Sequence, residues 1–583
     1  MRPENDQTDN VTTTDKPMLK KIYTLVLAAA CCTHQAVAQD IGALGGQKPV
    51  ALRGSAQLRG IFYNASGISN RRTPFSWLFS GNLTANLYGV SLPMNFSFSE
   101  QDRSFSQPFN QFGISPHYKW VTVHLGYRNI NFSPYTLAGY TMLGAGVELT
   151  PGKFRLGFMY GRLNRATTID TTTQSLAPIS FTRKAFAVKL GYGTENNFID
   201  FSMLKGKDDA GSLSVGKLTL DSLAVSPAAN TVIGVSTRLT LAQHILIEGD
   251  VGTSLYTRDL NSPLTLDSVS DPTLRKLRSI ATINGTSQLY TAISAALGYK
   301  TKTWTVKLQY QRIDPDFQSM GAYFFNSDLE NYTVAPSFHL FKNKLRFAGS
   351  IGFQHDNLQH QKEATTHKVI ATTMLSADFT KQLGIDINYS NFSNNQQPNT
   401  IRFADSLKIV QTTQNLSISP RWMLVGVSTT NTIILSANIM QMNDFNNYFA
   451  QNAISRNMKY KQYYLNYTFG YLPAGLSVFI NLSATKADAP GTTDENKGAT
   501  VGLNKSFFKS AFLVSASTGF FGGKRSGSDD HTVNASANLQ YKFLNRHSLS
   551  ALFFYTNDRP VNVTQLLPAF SETRAELAYG YSF

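Results

Sequence analysis

Along most of the chain apolar and polar residues alternate one by one, in segments about as long as the nine to eleven residues a tilted strand needs to cross a bilayer. Trp304, Val306, Leu308 and Tyr310 share one face of such a segment, and Thr305, Lys307, Gln309 and Gln311 share the other. Val533, Ala535, Ala537, Leu539, Tyr541 and Phe543 alternate in the same way with Thr532, Asn534, Ser536, Asn538, Gln540 and Lys542. Leu476, Val478, Ile480 and Leu482 are interleaved with Ser477, Asn481 and Ser483, with Phe479 the exception. A period of two, not 3.6, predicts strands with one apolar and one polar face.

Soluble β-sandwiches alternate too, so two further patterns separate the classes. Tyr and Phe gather in runs such as Phe154, Leu156, Phe158, Tyr160 and Tyr463, Leu465, Tyr467, Phe469, Tyr471. Amphipathic rings of this kind suit the headgroup level of a membrane. Connections also alternate between tight and long. Tight ones fall at 88–90, 150–153, 300–303, 342–344, 472–475 and 544–547, and long ones at 162–184, 205–229, 258–287, 313–331, 393–409 and 556–572. Short turns on one side and long loops on the other are the habit of outer-membrane barrels. The expected fold is all-β, a single large antiparallel transmembrane β-barrel over residues 50–583 with about 22 to 26 strands, 26 by direct count.

A continuous apolar run precedes the barrel. Lys20 and Lys21 introduce Ile22 to Cys32, and the stretch closes on Ala36, Val37 and Ala38 before Gln39. This order predicts a secretory signal peptide over 1–38, cut between Ala38 and Gln39, and too short for a spanning helix. Met18 offers an alternative start. Residues 39–49 then form a short periplasmic segment with no room for an N-terminal plug. Cys31 and Cys32 both fall in the leader, so the mature chain is expected to carry no disulfide, iron–sulfur cluster or zinc–thiolate site. Acylation of Cys31 stays open as an alternative way of processing.

Composition agrees with a barrel. At 15% charged residues and a mean hydropathy of −0.19, the chain is too poor in charge for an ordinary soluble enzyme and too polar for a bundle of membrane helices. The formal net charge is +16. In the leader Arg2, Lys16, Lys20 and Lys21 are balanced by Glu4, Asp6, Asp9 and Asp15, so the excess belongs to the barrel. Something anionic is implied nearby: lipopolysaccharide phosphates at the outer rim, or an anionic solute drawn to lumen-facing Arg155, Lys189 and Lys307. The basic residues are scattered through hairpins and form no single stripe, which argues against nucleic acid.

Few residues suggest bond-making chemistry. Asp314, Asp316, Asp328 and Glu330 fall in one long connection but lack the spacing of a calcium loop, so an inward-folded constriction loop is expected in place of a metal site. His355, His360 and His367 flank another loop and read as surface histidines. No local Ser/His/Asp spacing stands out, and the chain is expected to be no enzyme, with no catalytic, metal or cofactor-binding residues and no cofactor.

The last residues place Ala575, Leu577, Tyr579, Tyr581 and Phe583 on one face. With Gly580, this ending resembles the C-terminal assembly signal of bacterial outer-membrane barrels, which implies recognition by the barrel assembly machinery of a Gram-negative cell. The segments Tyr389-Ser390-Asn391-Phe392 and Ser319-Met320-Gly321-Ala322-Tyr323 are similar in style to uncharacterised barrels of the Bacteroidota. The function expected first is a channel or transporter with a polar, basic lumen partly filled by its own loops. A secretion, surface-assembly or binding barrel plugged by a partner protein is the alternative, and a barrel enzyme is third.

Overall fold

The computed structural model describes residues 50–87, 90–99, 111–166, 179–213, 225–264, 280–322, 326–398, 408–446, 456–525, 527–564 and 567–583. The expected signal peptide with Met18, Cys31 and the Ala38–Gln39 junction, and the segment 39–49, lie outside the described residues. The chain divides into two units, Met1–Ala51 with Asn86–Gly89, and Leu52–Ala85 with Val90–Phe583. The described part of the first is limited to strand ends; the second is the barrel.

Each barrel strand pairs antiparallel with its neighbours in sequence, from Val121–Asn129 beside Thr141–Leu149 to His547–Pro560 beside Phe570–Ser582. The last strand then returns to the first, Val50–Ser66, in a register running from Ser55 opposite Ser582 to Ser66 opposite Ser571. Gln111–Ile114 and His117–Tyr118 are two pieces of one strand, since both lie between Val90–Ser99 and Val121–Asn129. The sheet's 27 segments therefore make a closed barrel of 26 strands. Closure matters because an open strand edge in lipid leaves backbone groups unpaired at several kcal/mol each.

The direction of each side chain follows from strand parity. Phe154, Phe158 and Tyr160 are exposed on the outer wall, whereas the intervening Met159 is fully buried inside. On the next strand Leu190 and Tyr192 face out and Ala187 faces in. Aromatic rings gather where the last strands meet the short turns. Tyr581 packs edge-on against Phe583 with ring centres 4.9 Å apart, and His547 lies 4.9 Å from Tyr581 and 5.0 Å from Phe543. Wall height is uneven. Strands between Ala364 and Pro560 run 14 to 17 residues, whereas Val121–Asn129 and Thr141–Leu149 have 9 each.

Candidate functional site

Two connections from the long-loop side fold into the lumen and line one wall. The first, 130–140, places Phe132, Tyr135 and Leu137 against the inner faces of the strands Phe154–Asn164 to Ile245–Thr257. Glycine makes the close approach possible, because a Cβ on Gly157 would lie 2.8 Å from the Phe132 ring and one on Gly252 would lie 2.5 Å from Tyr135. The second belongs to the acidic segment expected to fold inward, and its residues 314–322 do so. Its Met320 amide donates to Asn230 Oδ1 at 2.9 Å, and Ser254 Oγ donates to the Gln318 carbonyl at 2.6 Å. Leu137–Ala138 and Gly321–Ala322 pair as a short parallel ladder that ties the two connections together. Tyr135 and Phe317 meet edge to face at 5.8 Å. Among the described residues no group of three or more His, Cys, Asp or Glu side chains could hold a metal.

Beneath this lining the wall is charged and paired. Arg155, Lys189 and Lys307 all face inward, and each meets a carboxylate on a neighbouring or next-but-one strand: Arg155 with Asp200 at 2.8 Å, Lys189 with Glu148 at 3.3 Å and Lys307 with Glu248 at 3.1 Å. Arg183 adds a pair with Asp208 at 2.7 Å. The Arg155 guanidinium also lies 4.4 Å from the Phe198 ring centre, and Lys189 Nζ lies 5.0 Å from that of Phe132. The basic side chains expected to attract anions are thus compensated in place. A cavity of about 380 Å³ opens between Phe132 and this wall, lined by Arg238, Asp250, Ser294 and Gln311 among others.

The facing wall is different. From Ile409–Val425 to His547–Pro560 the mid-height inner positions are uncharged, as in Asn415, Ser436, Asn481, Thr500, Ser517 and Asn538. Hydroxyls and amides bond to one another across strands, Ser419 with Ser436 at 3.0 Å, Ser517 with Ser536 at 2.8 Å, and Asn466 with Asn481. The buried amide oxygens of Asn415 and Asn438 accept no hydrogen bond from the protein. Phe479, the break in the apolar alternation, faces inward directly opposite Gly502, and Phe521 stands likewise opposite Gly498. A Cβ on either glycine would come within 2.2 Å of the ring, so both rings lie down on the wall and leave a face to the lumen.

Other expected residues fall elsewhere. His355 and His367 stack at 6.0 Å and His355 Nε2 lies 3.3 Å from Glu330, all at the long-loop end of their strands. Tyr579, Tyr581 and Phe583 face outward in the closing strand, and Gly580 lies between them opposite Gln57. One group escapes a reading of local spacing. Ser115 Oγ lies 2.8 Å from His124 Nδ1, and His124 Nε2 lies 3.1 Å from Glu148. The three come from separate strands, and Lys189 shares the Glu148 carboxylate. In the wall this chain satisfies polar groups that burial would otherwise leave unpaired.

No family model and no curated protein matches the chain. Similar solved structures are outer-membrane barrels. They include OccAB4 of Acinetobacter baumannii, at 12% identity over 69% of this chain and 98% of that one, with a TM-score of 0.30. OpdK of Pseudomonas aeruginosa with vanillate is 10% identical over 91% and 99%, with a TM-score of 0.31. BauA, the ferric preacinetobactin receptor of Acinetobacter baumannii, is 8% identical over 91% and 81%, with a TM-score of 0.39. Likeness at this level extends to the fold alone and places the chain in none of these families.

Proposed function

We propose that the chain is an outer-membrane channel for small, uncharged polar solutes, with its path along the amide- and hydroxyl-bearing wall and narrowed from the opposite side by residues 130–140 and 314–322. The observation that carries this reading is the division of the lumen: charges are paired and partly covered on one side, while the other is lined at mid-height by uncharged hydroxyls and amides. An empty barrel of this strand count would leak, since 16 to 18 strands already enclose an aqueous channel, and the inward connections supply a constriction. Paired Arg155, Lys189 and Lys307 present little free charge, which favours neutral solutes over the anionic ones suggested by net charge alone.

Purified full-length protein in planar bilayers and in liposome swelling tests this. Steady conductance with weak ion selectivity, and swelling with neutral sugars faster than with anions of similar size, is the expected result. Strong anion preference would restore the basic-lumen reading. A silent bilayer would favour the second reading, a barrel whose remaining lumen is filled by a partner protein.

A further inference from the structure

Four basic side chains crowd one patch of the outer wall. Arg162, Lys184 and Lys207 are direct cross-strand partners on three adjacent strands, Arg162 opposite Lys184 and Lys184 opposite Lys207. Lys205 lies one row below, opposite Phe186, which pairs in turn with Tyr160. Parity fixes their direction. Arg162 follows Phe158 and Tyr160, Lys184 precedes Leu190 and Tyr192, and Lys205 and Lys207 follow Ile199 and Phe201, all exposed, while Met159, Ala187 and Leu204 between them are buried inside. Among the described residues none of the four makes an ion pair, although Arg155, Arg183 and Lys189 on the inner face of the same strands are all paired.

Like charges directly opposite one another destabilise strand pairing, and neighbouring strands stand only about 4.8 Å apart. A row of three is tolerated where an anion lies between them. The row sits at the long-loop ends of its strands, one step beyond the Tyr160 and Phe186 rings, the height at which aromatic side chains meet lipid headgroups. A dissolved counter-ion would be screened there by salt, whereas a phosphate fixed in the headgroup layer is held at the right height at high local concentration.

We propose that Arg162, Lys184, Lys205 and Lys207 form a binding site for the phosphorylated headgroup of an outer-leaflet glycolipid, whose acyl chains descend over Tyr160, Phe186 and Phe201. The site depends on the barrel spanning an outer membrane and not on whether it conducts. The experiment titrates full-length barrel in detergent with lipopolysaccharide and counts bound lipid per barrel. Saturable binding is expected, weakened about tenfold or more in Lys184→Gln/Lys207→Gln and unchanged in Lys119→Gln/Lys509→Gln, whose lysines occupy short turns at the opposite end. Dephosphorylated lipopolysaccharide should bind the parent as weakly as intact lipid binds the glutamine pair. Lys184→Arg/Lys207→Arg should retain full binding, which separates charge from folding damage. Equal binding by parent and glutamine pair, loss in the arginine pair, or displacement of the lipid by inorganic phosphate at equal phosphate concentration would overturn the proposal.

Discussion

Ser319 Oγ donates a hydrogen bond of 2.7 Å to the Thr136 carbonyl. That bond joins two connections that leave the long-loop end on opposite flanks of the charged wall, and Thr136 Oγ1 continues it to Ser202 on the wall itself at 3.0 Å. The lining of the lumen is therefore a single tied unit: it rests on the barrel through polar contacts and on itself through the ladder at Leu137 and Gly321.

Gly321 is where this unit is most easily broken. A Cβ there would stand 2.3 Å from Leu204 Cδ1 and 2.7 Å from the Thr136 carbonyl oxygen, so Gly321→Val should lift the segment off the wall at a cost of roughly 1–3 kcal/mol. Single-channel recording should show a larger or more frequently open conductance, with the barrel still assembled. A conductance equal to that of the parent would mean that the lining does not narrow the path.

Arg155→Met should destabilise the barrel. It leaves Asp200, whose side chain is only 3% exposed, without its partner, and breaking a buried pair from one side costs about 3–5 kcal/mol. Adding Asp200→Leu should recover much of the loss, because no charge then remains buried. Thermal unfolding of the two variants in the same detergent checks this, and a double variant no more stable than Arg155→Met would contradict it.

The tie at Asp328 should be insensitive to pH until the medium is strongly acid. Burial pushes this carboxyl up, but bonds from Lys362 and from the Leu358 and Asn357 amides outweigh burial and hold it below the usual carboxylate range. A depressed folded-state pKa contributes stability that is whole above the unfolded value, near 3.9, and is lost as pH falls through the folded value. Protease cleavage of the loop at 356–363 should therefore stay slow from neutral pH to about pH 4 and accelerate below it. Asp328→Asn should be cut faster at neutral pH, with the difference from the parent shrinking as acid is added.

Deleting Phe583, or changing it to Asp, should lower the yield of assembled barrel without blocking export. Phe583 donates its amide to the Gly54 carbonyl at 2.9 Å and packs its ring on Tyr581, so it serves both the closing seam and the aromatic girdle. The amount of heat-modifiable, protease-resistant barrel measures the effect. Parental levels from the Phe583→Asp gene would show that this end is not an assembly signal.

Several features of this protein are determined by its sequence alone, because they depend on neighbours along the chain. Period two, with turn formers at 150–153 or 472–475, decides strand, face and the short turns, whereas on the long-loop side the connections after Ala489 and Arg525 have only two residues each. A register slip by one residue would turn every apolar side chain inward. The inward direction of Arg155, Lys189 and Lys307 follows from the same parity, as does the odd position of Phe479. The inward fold of 314–322 was expected from an acidic, aromatic connection that lacks calcium spacing, but not the side chains it would meet.

What those side chains meet was decided by the tertiary structure. Glu248 lies two strands from Lys307, and Ser115, His124 and Glu148 converge from three strands, distances that no local window spans. Net charge is a sum and carries no positions: it foretold a basic lumen, whereas strand pairing sets a carboxylate near Arg155, Lys189 and Lys307 and leaves Arg162, Lys184 and Lys207 together on the outside. Closure of the sheet likewise brings Ser55 to Ser582, because a barrel makes neighbours of residues by strand order and height, and the inward fold of 130–140 sets Thr136 on Ser202; the linear chain encodes neither locally.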